Sequence, residues 1–279
     1  MAQERGWLLL TNDDGIEAVG LETLVKALHH EGYPVAVLAP SGNHSATGMR
    51  INLMKPMAYR PRDDLVERWG LNPHTTPVHL FELDGTPCDT MIVALDGGLN
   101  HLVPGVHPQM VVSGVNLGPN LSQDSYHSGT MGAAREAGLY GVPAIAASFT
   151  SFDPVGIERA VEATLDIVAA AAAVLPVKAG NLARPKGALE TTYFTTWPKP
   201  SADEPWRDHP ERALLNAFCN GDLMLNINAP ASWNGSWATT RLGVRWYRNA
   251  VRFGDHGDDA TATFTICLLY TSPSPRDTG

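Results

Sequence analysis

Trp7-Leu8-Leu9-Leu10-Thr11-Asn12-Asp13-Asp14-Gly15 sets the frame for the rest of the chain. Four apolar residues in a row, without polar alternation, read as a buried strand of a parallel sheet. After the two aspartates, the spacing of Val19, Leu21, Leu24, Val25 and Leu28 predicts an amphipathic helix closed by Gly32. A second strand over residues 35–39, stopped by Pro40, completes a βαβ unit, whose crossover is almost always right-handed. Ligands of open α/β sheets gather beyond the carboxyl ends of the strands, where Asp13 and Asp14 fall. Adjacent carboxylates repel, most strongly in a partly dry cleft. A divalent cation would relieve that repulsion, and carboxylate oxygens suit Mg²⁺, Mn²⁺ or Ca²⁺. An Asx-type turn capping the next helix fits the same residues. This stretch alone leaves both readings open.

Further along, the same rim of the sheet gathers more polar loops. Residues 41–48 (SGNHSATG) follow the second strand and place Ser45 there, although an ordinary solvated loop has the same composition. Residues 51–72 read as a strand plus an excursion. After a short strand over 79–83, Thr86 and Pro87 predict the N-cap and first position of a helix that stops at Gly97-Gly98. Another buried strand, 110–113, leads into a loop over 114–127 that carries Asn116, Asn120 and Asp124. Ser128-Gly129-Thr130 then opens a helix whose Ala133, Ala134 and Ala137 allow close packing on a sheet. A strand over 144–148 and a long Ala-rich helix over 157–175 follow. Strand-like sequence returns at 223–228 and again at 241–251.

The predicted fold is therefore α/β, a Rossmann-like three-layer α/β/α catalytic domain over residues 1–177. Residues 178–222 read as an insertion or linker, because prolines interrupt every periodicity there. Residues 223–266 are expected to add the last core strand and the start of a smaller β-rich part. Residues 267–277 (CLLYTSPSPRD) look like a sequencing-library adapter translated in frame. On that reading, 267–279 is a non-native tail and the natural C-terminus is truncated.

Composition narrows the partners. A formal net charge of −9 and no Lys/Arg cluster argue against a nucleic-acid polymer, whose phosphate backbone needs a positive surface. A small phosphorylated substrate stays open, since one metal ion reverses the local potential. Cys88, Cys219 and Cys267 form no CxxC pair, so neither a disulfide framework nor a zinc cluster is expected, and a reducing compartment is favoured. Residues 1–5 are short and polar and no apolar run is long enough to span a bilayer. Neither a signal peptide nor a membrane partner is expected, and the expected location is the cytoplasm.

The loops after three strands thus carry Asp13, Asp14, Ser45 and Asn116, an oxygen-rich set without thiolate that points to a hard cation. The Ser128–Thr130 helix start offers backbone N–H groups that suit an anion, although plain N-capping explains Ser128 and Thr130 equally. A hard cation facing an anion-binding helix terminus is a layout for phosphoryl chemistry.

With those residues assembled, the chain strongly resembles the SurE family of metal-dependent nucleotidases, also called survival-protein phosphatases. The matching stretches are 8–15 (LLLTNDDG), 39–45 (APSGNHS), 85–89 (GTPCD), 111–120 (VVSGVNLGPN), 128–130 (SGT) and 141–148 (GVPAIAAS). The resemblance thins after residue 148 and returns at 225–230. It implies that Asp13, Asp14, Ser45 and Asn116 ligate one divalent cation, Mg²⁺ or Mn²⁺ with Ca²⁺ also able to occupy the site. It implies that Asn120, Ser128, Gly129 and Thr130 contact substrate phosphate, with Asp13, Asp14 and Asn120 as the catalytic set. It further implies hydrolysis of nucleoside 5′- and 3′-monophosphates, with short polyphosphate as a substrate of some members, and a homodimer or homotetramer. Two departures stand out: His127 where members carry Tyr before Ser-Gly-Thr, and Arg135-Glu136 where Met-Glu is common. His127 lies next to the anion site, as a proton carrier or as a hydrogen-bonded bystander. Two rivals remain. A haloacid-dehalogenase-like phosphatase places Asp-x-Asp after its first strand, a spacing that Asp13-Asp14 lacks. A nucleotide-binding scaffold without turnover needs the anion site alone.

Overall fold

Strands covered by helices on both faces must be apolar on both, and in β1 (Trp7–Thr11) Leu8, Leu9 and Leu10 are all fully buried. The computed structural model describes residues 5–175, 177, 210–219, 221–243, 251–253 and 264–266. After β1 come α1 (Val19–His30), β2 (Val35–Pro40), β3 (Tyr59–Pro61), α2 (Asp63–Arg68), β4 (Val78–Leu83), α3 (Pro87–Val93) and α4 (Leu99–Leu102). Then follow β5 (Pro108–Leu117), α5 (Asp124–His127), α6 (Gly129–Leu139), β6 (Ala144–Phe149), α7 (Ile157–Val174), α8 (Pro210–Cys219) and β7 (Leu225–Ala229). Two short strands, β8 (Val251–Phe253) and β9 (Phe264–Ile266), pair antiparallel.

Seven strands form one sheet in the order β3-β4-β2-β1-β5-β6-β7, parallel except for β3 at the edge. The chain moves outward from β1 through β2 to β4, then returns to β5 on the other side of β1. Strand order therefore reverses between β1 and β5, which opens a crevice at their carboxyl ends. Side chains alternate across β1. Leu8 and Leu10 join a core with Leu21, Leu24 and Leu28 of α1 and Val161 and Val168 of α7. Leu9 joins the opposite core with Met91 of α3 and Met131, Ala133 and Ala134 of α6. Each leucine buried this way contributes about 1.5–3 kcal/mol. The result is the three-layer Rossmann-like α/β/α fold expected from the sequence.

The helix expected to stop at Gly97-Gly98 ends earlier and then resumes. Its start is as read, with Thr86 as N-cap in a reciprocal capping box with Asp89 and Pro87 in the first turn. After Val93 the chain widens into a turn over Ala94–Gly98, where Gly97 takes φ +103°, and α4 begins at Leu99. A second difference matters for the site. β5 runs to Leu117, so Asn116 is on a strand rather than in a loop, opposite Ser148 of β6 across a register shift. The excursion over 51–72 contains β3 and α2. Arg62 anchors it, with ion pairs to Glu82 (2.7 Å), Glu17 (2.7 Å) and Asp64 (2.9 Å). Of the strand expected over 241–251, residues 241–243 are irregular, 244–250 lie outside the described residues, and Val251 begins β8. Most of the expected insertion (178–209) and the expected adapter tail (267–279) also lie outside them.

The chain divides into two compact units, Met1–Asn120 with Asp124–Ala238, and Leu121–Gln123 with Thr239–Gly279. The first holds the seven-stranded sheet and the second the β8–β9 pair. Among the described residues no helix is long and apolar enough to cross a membrane.

Candidate active site

Where β1 ends, Asn12 makes the turn and the aspartates do not. Asn12 Nδ2 donates to Gly15 O (2.8 Å) and Gly15 N donates back to Asn12 Oδ1 (3.2 Å). Gly15 holds φ +103°, a left-handed conformation that glycine adopts without strain. Helix α1 begins at Val19, with Ala18 as its N-cap and no side-chain cap. Asp13 and Asp14 are thereby left to serve something other than the helix.

Asp13 is buried at the start of α6. Its Oδ1 accepts from Thr130 Oγ1 at 2.6 Å, and its carbonyl accepts from His44 N at 2.6 Å. Burial pushes its carboxyl above the usual carboxylate range, and hydrogen bonds from the Thr130 side chain and from the Thr130 and Gly129 backbone oppose that only in part. Asp14 is pushed up to about 6, by burial first and by the charge of Asp13 second. Its own partners are distant: Asn43 Nδ2 at 3.3 Å on Oδ1 and Leu117 N at 3.4 Å on Oδ2. Of the two neighbouring carboxylates, Asp13 is well supplied with donors and Asp14 is not.

These contacts join the end of β1, the loop after β2 and the end of β5. Asn43 bridges Asp14 to Ser45, because its Oδ1 also accepts from Ser45 N at 2.9 Å. Leu117, which touches Asp14, is next to Asn116 in β5. Asn116 Nδ2 donates to Gly118 O at 2.7 Å, leaving its Oδ1 without a hydrogen bond among the described residues. Ser45 is exposed and its Oγ is likewise uncommitted there. Carboxylate, amide and hydroxyl oxygens are hard donors, so the set Asp13, Asp14, Ser45 and Asn116 fits a hard divalent cation. Among the described residues no group of three or more His, Cys, Asp and Glu side chains forms a metal site. A cation here thus needs the neutral oxygens as well as the carboxylates.

The candidate phosphate residues fall into two groups. Ser128 caps α6, its Oγ accepting from Met131 N at 3.1 Å, while Thr130 spends its proton on Asp13. A Cβ on Gly129 would stand 2.8 Å from Asp13 Cβ and 3.0 Å from its Oδ2, so only glycine lets the helix start approach the carboxylate this closely. Asn120 lies past the end of β5, where its Nδ2 donates to Ser148 Oγ at 2.8 Å. His127 is exposed, and its carbonyl accepts from Gly48 N at 2.7 Å. Among the described residues no hydrogen bond joins its ring to the aspartates.

One stretch that carries the family resemblance has a carboxylate that serves the scaffold. Asp89, in the 85–89 segment, accepts from Thr86 N (2.8 Å), Asn52 N (2.9 Å) and Asn52 Nδ2 (2.6 Å). It ties the start of α3 to residue 52 of the excursion, with both of its oxygens engaged there. Sequence reading missed Asn43 as the bridge, and it missed Ser148, Asn226 and Asn228 around Asn120. The Asn-x-Asn spacing in β7 was the available signal, since polar residues two apart share one face of a strand.

At the strand-order reversal of this α/β sheet, paired carboxylates thus stand beside a helix start that glycine keeps close. Residues 8–249 match the profile of the family described as Survival protein SurE, and the chain belongs to that family. A protein of Anaeromyxobacter sp. named 5′-nucleotidase SurE is 32% identical over 244 residues, covering 88% of this chain and 71% of that protein. One of Prochlorococcus marinus with the same name is 34% identical over 263 residues, covering 90% and 75%. The match to the Desulfitobacterium hafniense protein of that name reaches 39% identity over 155 residues, 56% of this chain, and spans 55% of that relative's length. The crystal structure of the SurE protein from Aquifex aeolicus superposes with a TM-score of 0.60 at 24% identity, covering 94% of this chain and 82% of that one. That likeness supports the fold.

Proposed function

We propose that this chain is a divalent-cation-dependent phosphomonoesterase that hydrolyses nucleoside 5′-monophosphates to nucleoside and phosphate. Nucleoside 3′-monophosphates and short polyphosphate are further substrates on this reading, and the assembly is a homodimer or homotetramer. The observation that carries it is the meeting of Asp13 with the start of α6, and of Asp14 with the end of β5, at the reversal between β1 and β5. Asp13, Asp14, Ser45 and Asn116 would hold one cation, Mg²⁺ or Mn²⁺. When bound, such an ion supplies Lewis acidity and a water of lowered pKa. The protein's own part is positioning and charge stabilisation. Thr130 fixes the Asp13 carboxylate, Asn43 fixes Asp14 relative to Ser45, and Gly129 keeps the helix start close. The second amide proton of Asn120, beyond the one given to Ser148, is available to a phosphoryl oxygen. N–H groups at the start of α6 also suit an anion there.

The names of the relatives support the substrate class, and the hard-oxygen donor set supports the cation. The test is a panel of nucleoside 5′- and 3′-monophosphates and polyphosphate, assayed with Mg²⁺, with Mn²⁺ and with chelator. Phosphate release should require the cation and fall by more than about 100-fold in Asp13→Ala, beyond the roughly 10–100-fold that outer partners of a metal site are worth. Chelator-resistant activity that survives Asp13→Ala would overturn the assignment. Nucleotide binding without turnover would favour the scaffold.

A further inference from the structure

Asn226 and Asn228 have no part in the chemistry above, yet both are aimed at one residue that does. They are two apart in β7, so both side chains emerge on one face. In register they stand beside Ala146 and Ser148 of β6, while Ile227 and Ala229 between and after them enter the core on the other face. Their side chains meet the main chain of Asn120. Asn228 Oδ1 accepts from Asn120 N at 2.8 Å, and Asn228 Nδ2 donates to Asn120 O at 3.3 Å. Asn226 Nδ2 donates to the same carbonyl at 2.9 Å, and Asn228 Nδ2 also reaches Asn226 Oδ1 at 3.3 Å. The side-chain amide of Asn228 thus pairs with both polar groups of one residue, as a neighbouring strand would. Ser148 holds the Asn120 side chain from β6. Both main-chain groups and the side-chain nitrogen of Asn120 are therefore fixed, whereas its Oδ1 carries no hydrogen bond among the described residues. Such investment at a strand end is more than backbone satisfaction requires, since one partner per group would do.

We propose that Asn226 and Asn228 are positioning residues that lock the main chain at Asn120 and so set where its amide meets the substrate phosphate. The inference rests on the nucleotidase reading in taking Asn120 as the phosphate contact. In that arrangement the β7 pair governs affinity for the phosphate and leaves affinity for the cation untouched. Removing it lets Asn120 drift while the aspartates stay in place.

The experiment compares wild type, Asn226→Ala, Asn228→Ala and the isosteric Asn228→Asp. Binding of inorganic phosphate and of Mn²⁺ is measured by calorimetry, and kcat and KM are measured on a nucleoside monophosphate. In Asn228→Ala, phosphate affinity and kcat/KM should each fall by about 10–100-fold, the range for an outer positioning partner, with Mn²⁺ affinity within about twofold of wild type. Asn228→Asp should regain part of the loss at acid pH, where a protonated carboxyl both donates and accepts. Its pH profile would then lie on the acid side of wild type. Wild-type phosphate affinity in a folded Asn228→Ala or Asn228→Asp variant would overturn the inference, as would equal loss of phosphate and Mn²⁺ binding. Calorimetry needs no turnover. A wild type that binds phosphate without hydrolysing the ester therefore counts against the nucleotidase reading, and the phosphate comparison still decides the role of the β7 pair.

Discussion

The two arms of the site are fixed by different means. On the acidic arm, Asp13 and Asp14 leave a central strand directly: Asp13 is held by the start of α6 through Thr130 and Gly129, and Asp14 by the long contacts of Asn43 and Leu117. On the amide arm, Asn120 stands past the end of β5 and is gripped from β6 and β7 through bonds to Ser148, Asn226 and Asn228. The acidic arm is under electrostatic tension, with two carboxylates in a partly dry place. The amide arm is under none and is satisfied nearly everywhere. A site that must accept a cation gains from the first condition, because the ion replaces a repulsion. A site that must present a donor at a fixed point gains from the second.

The difference can be broken on one side first. Thr130→Val removes the hydroxyl from Asp13 while keeping the main chain and shape of residue 130. Mn²⁺ affinity should drop by roughly 10–100-fold, as for other lost outer partners of metal ligands, and unchanged affinity would show that Asp13 needs no such anchor. Gly129→Ala is smaller in reach. The new Cβ must push Asp13 or the α6 start by a few tenths of an ångström, so thermal unfolding should show a loss of about 1–3 kcal/mol. A variant as stable as wild type would mean that the helix start yields freely.

The smallest effect follows from pH. Burial first, and the charge of Asp13 second, push the Asp14 carboxyl up to about 6 in the folded chain, above the usual carboxylate range. A raised carboxyl favours the protonated form, so its contribution to stability is fully present below the unfolded value and is lost as pH rises through about 6. In chelator, Asp14→Asn should therefore melt higher than wild type above about pH 6, with the gap closing toward about pH 4. Melting temperatures check it, and a gap that does not change with pH would refute the electrostatic tension.

How far the sequence could be read follows the same division. The β1–α1–β2 unit and the capping box at Thr86 and Asp89 are local, so spacing and residue type suffice for them. Asp13, Asp14, Ser45 and Asn116 were legible as residues that fall on one rim, since strand ends in a parallel sheet share it. Asn43 was not, because its bridging role depends on a loop conformation rather than on a period. The partners of Asn120 on β6 and β7 lie 28 to 108 residues away, beyond any local pattern. The longer β5, which carries Asn116 onto a strand, depends on pairing with β6. The stop expected at Gly97 yielded to a wide turn that glycine alone makes cheap.

β1 has neighbours on both sides, β2 and β5, and its three leucines have no exposure at all. A strand of that kind opens only when the whole domain does, whereas loops open piecemeal. Because the acidic pair is rooted in it, whatever binds there acts as a folding ligand for the entire sheet. At a hundred times its dissociation constant such a ligand would add about 2.7 kcal/mol to global stability. Occupancy of the crevice would then be written into the slowest-exchanging amides of the protein, deep in the strands beneath the site itself.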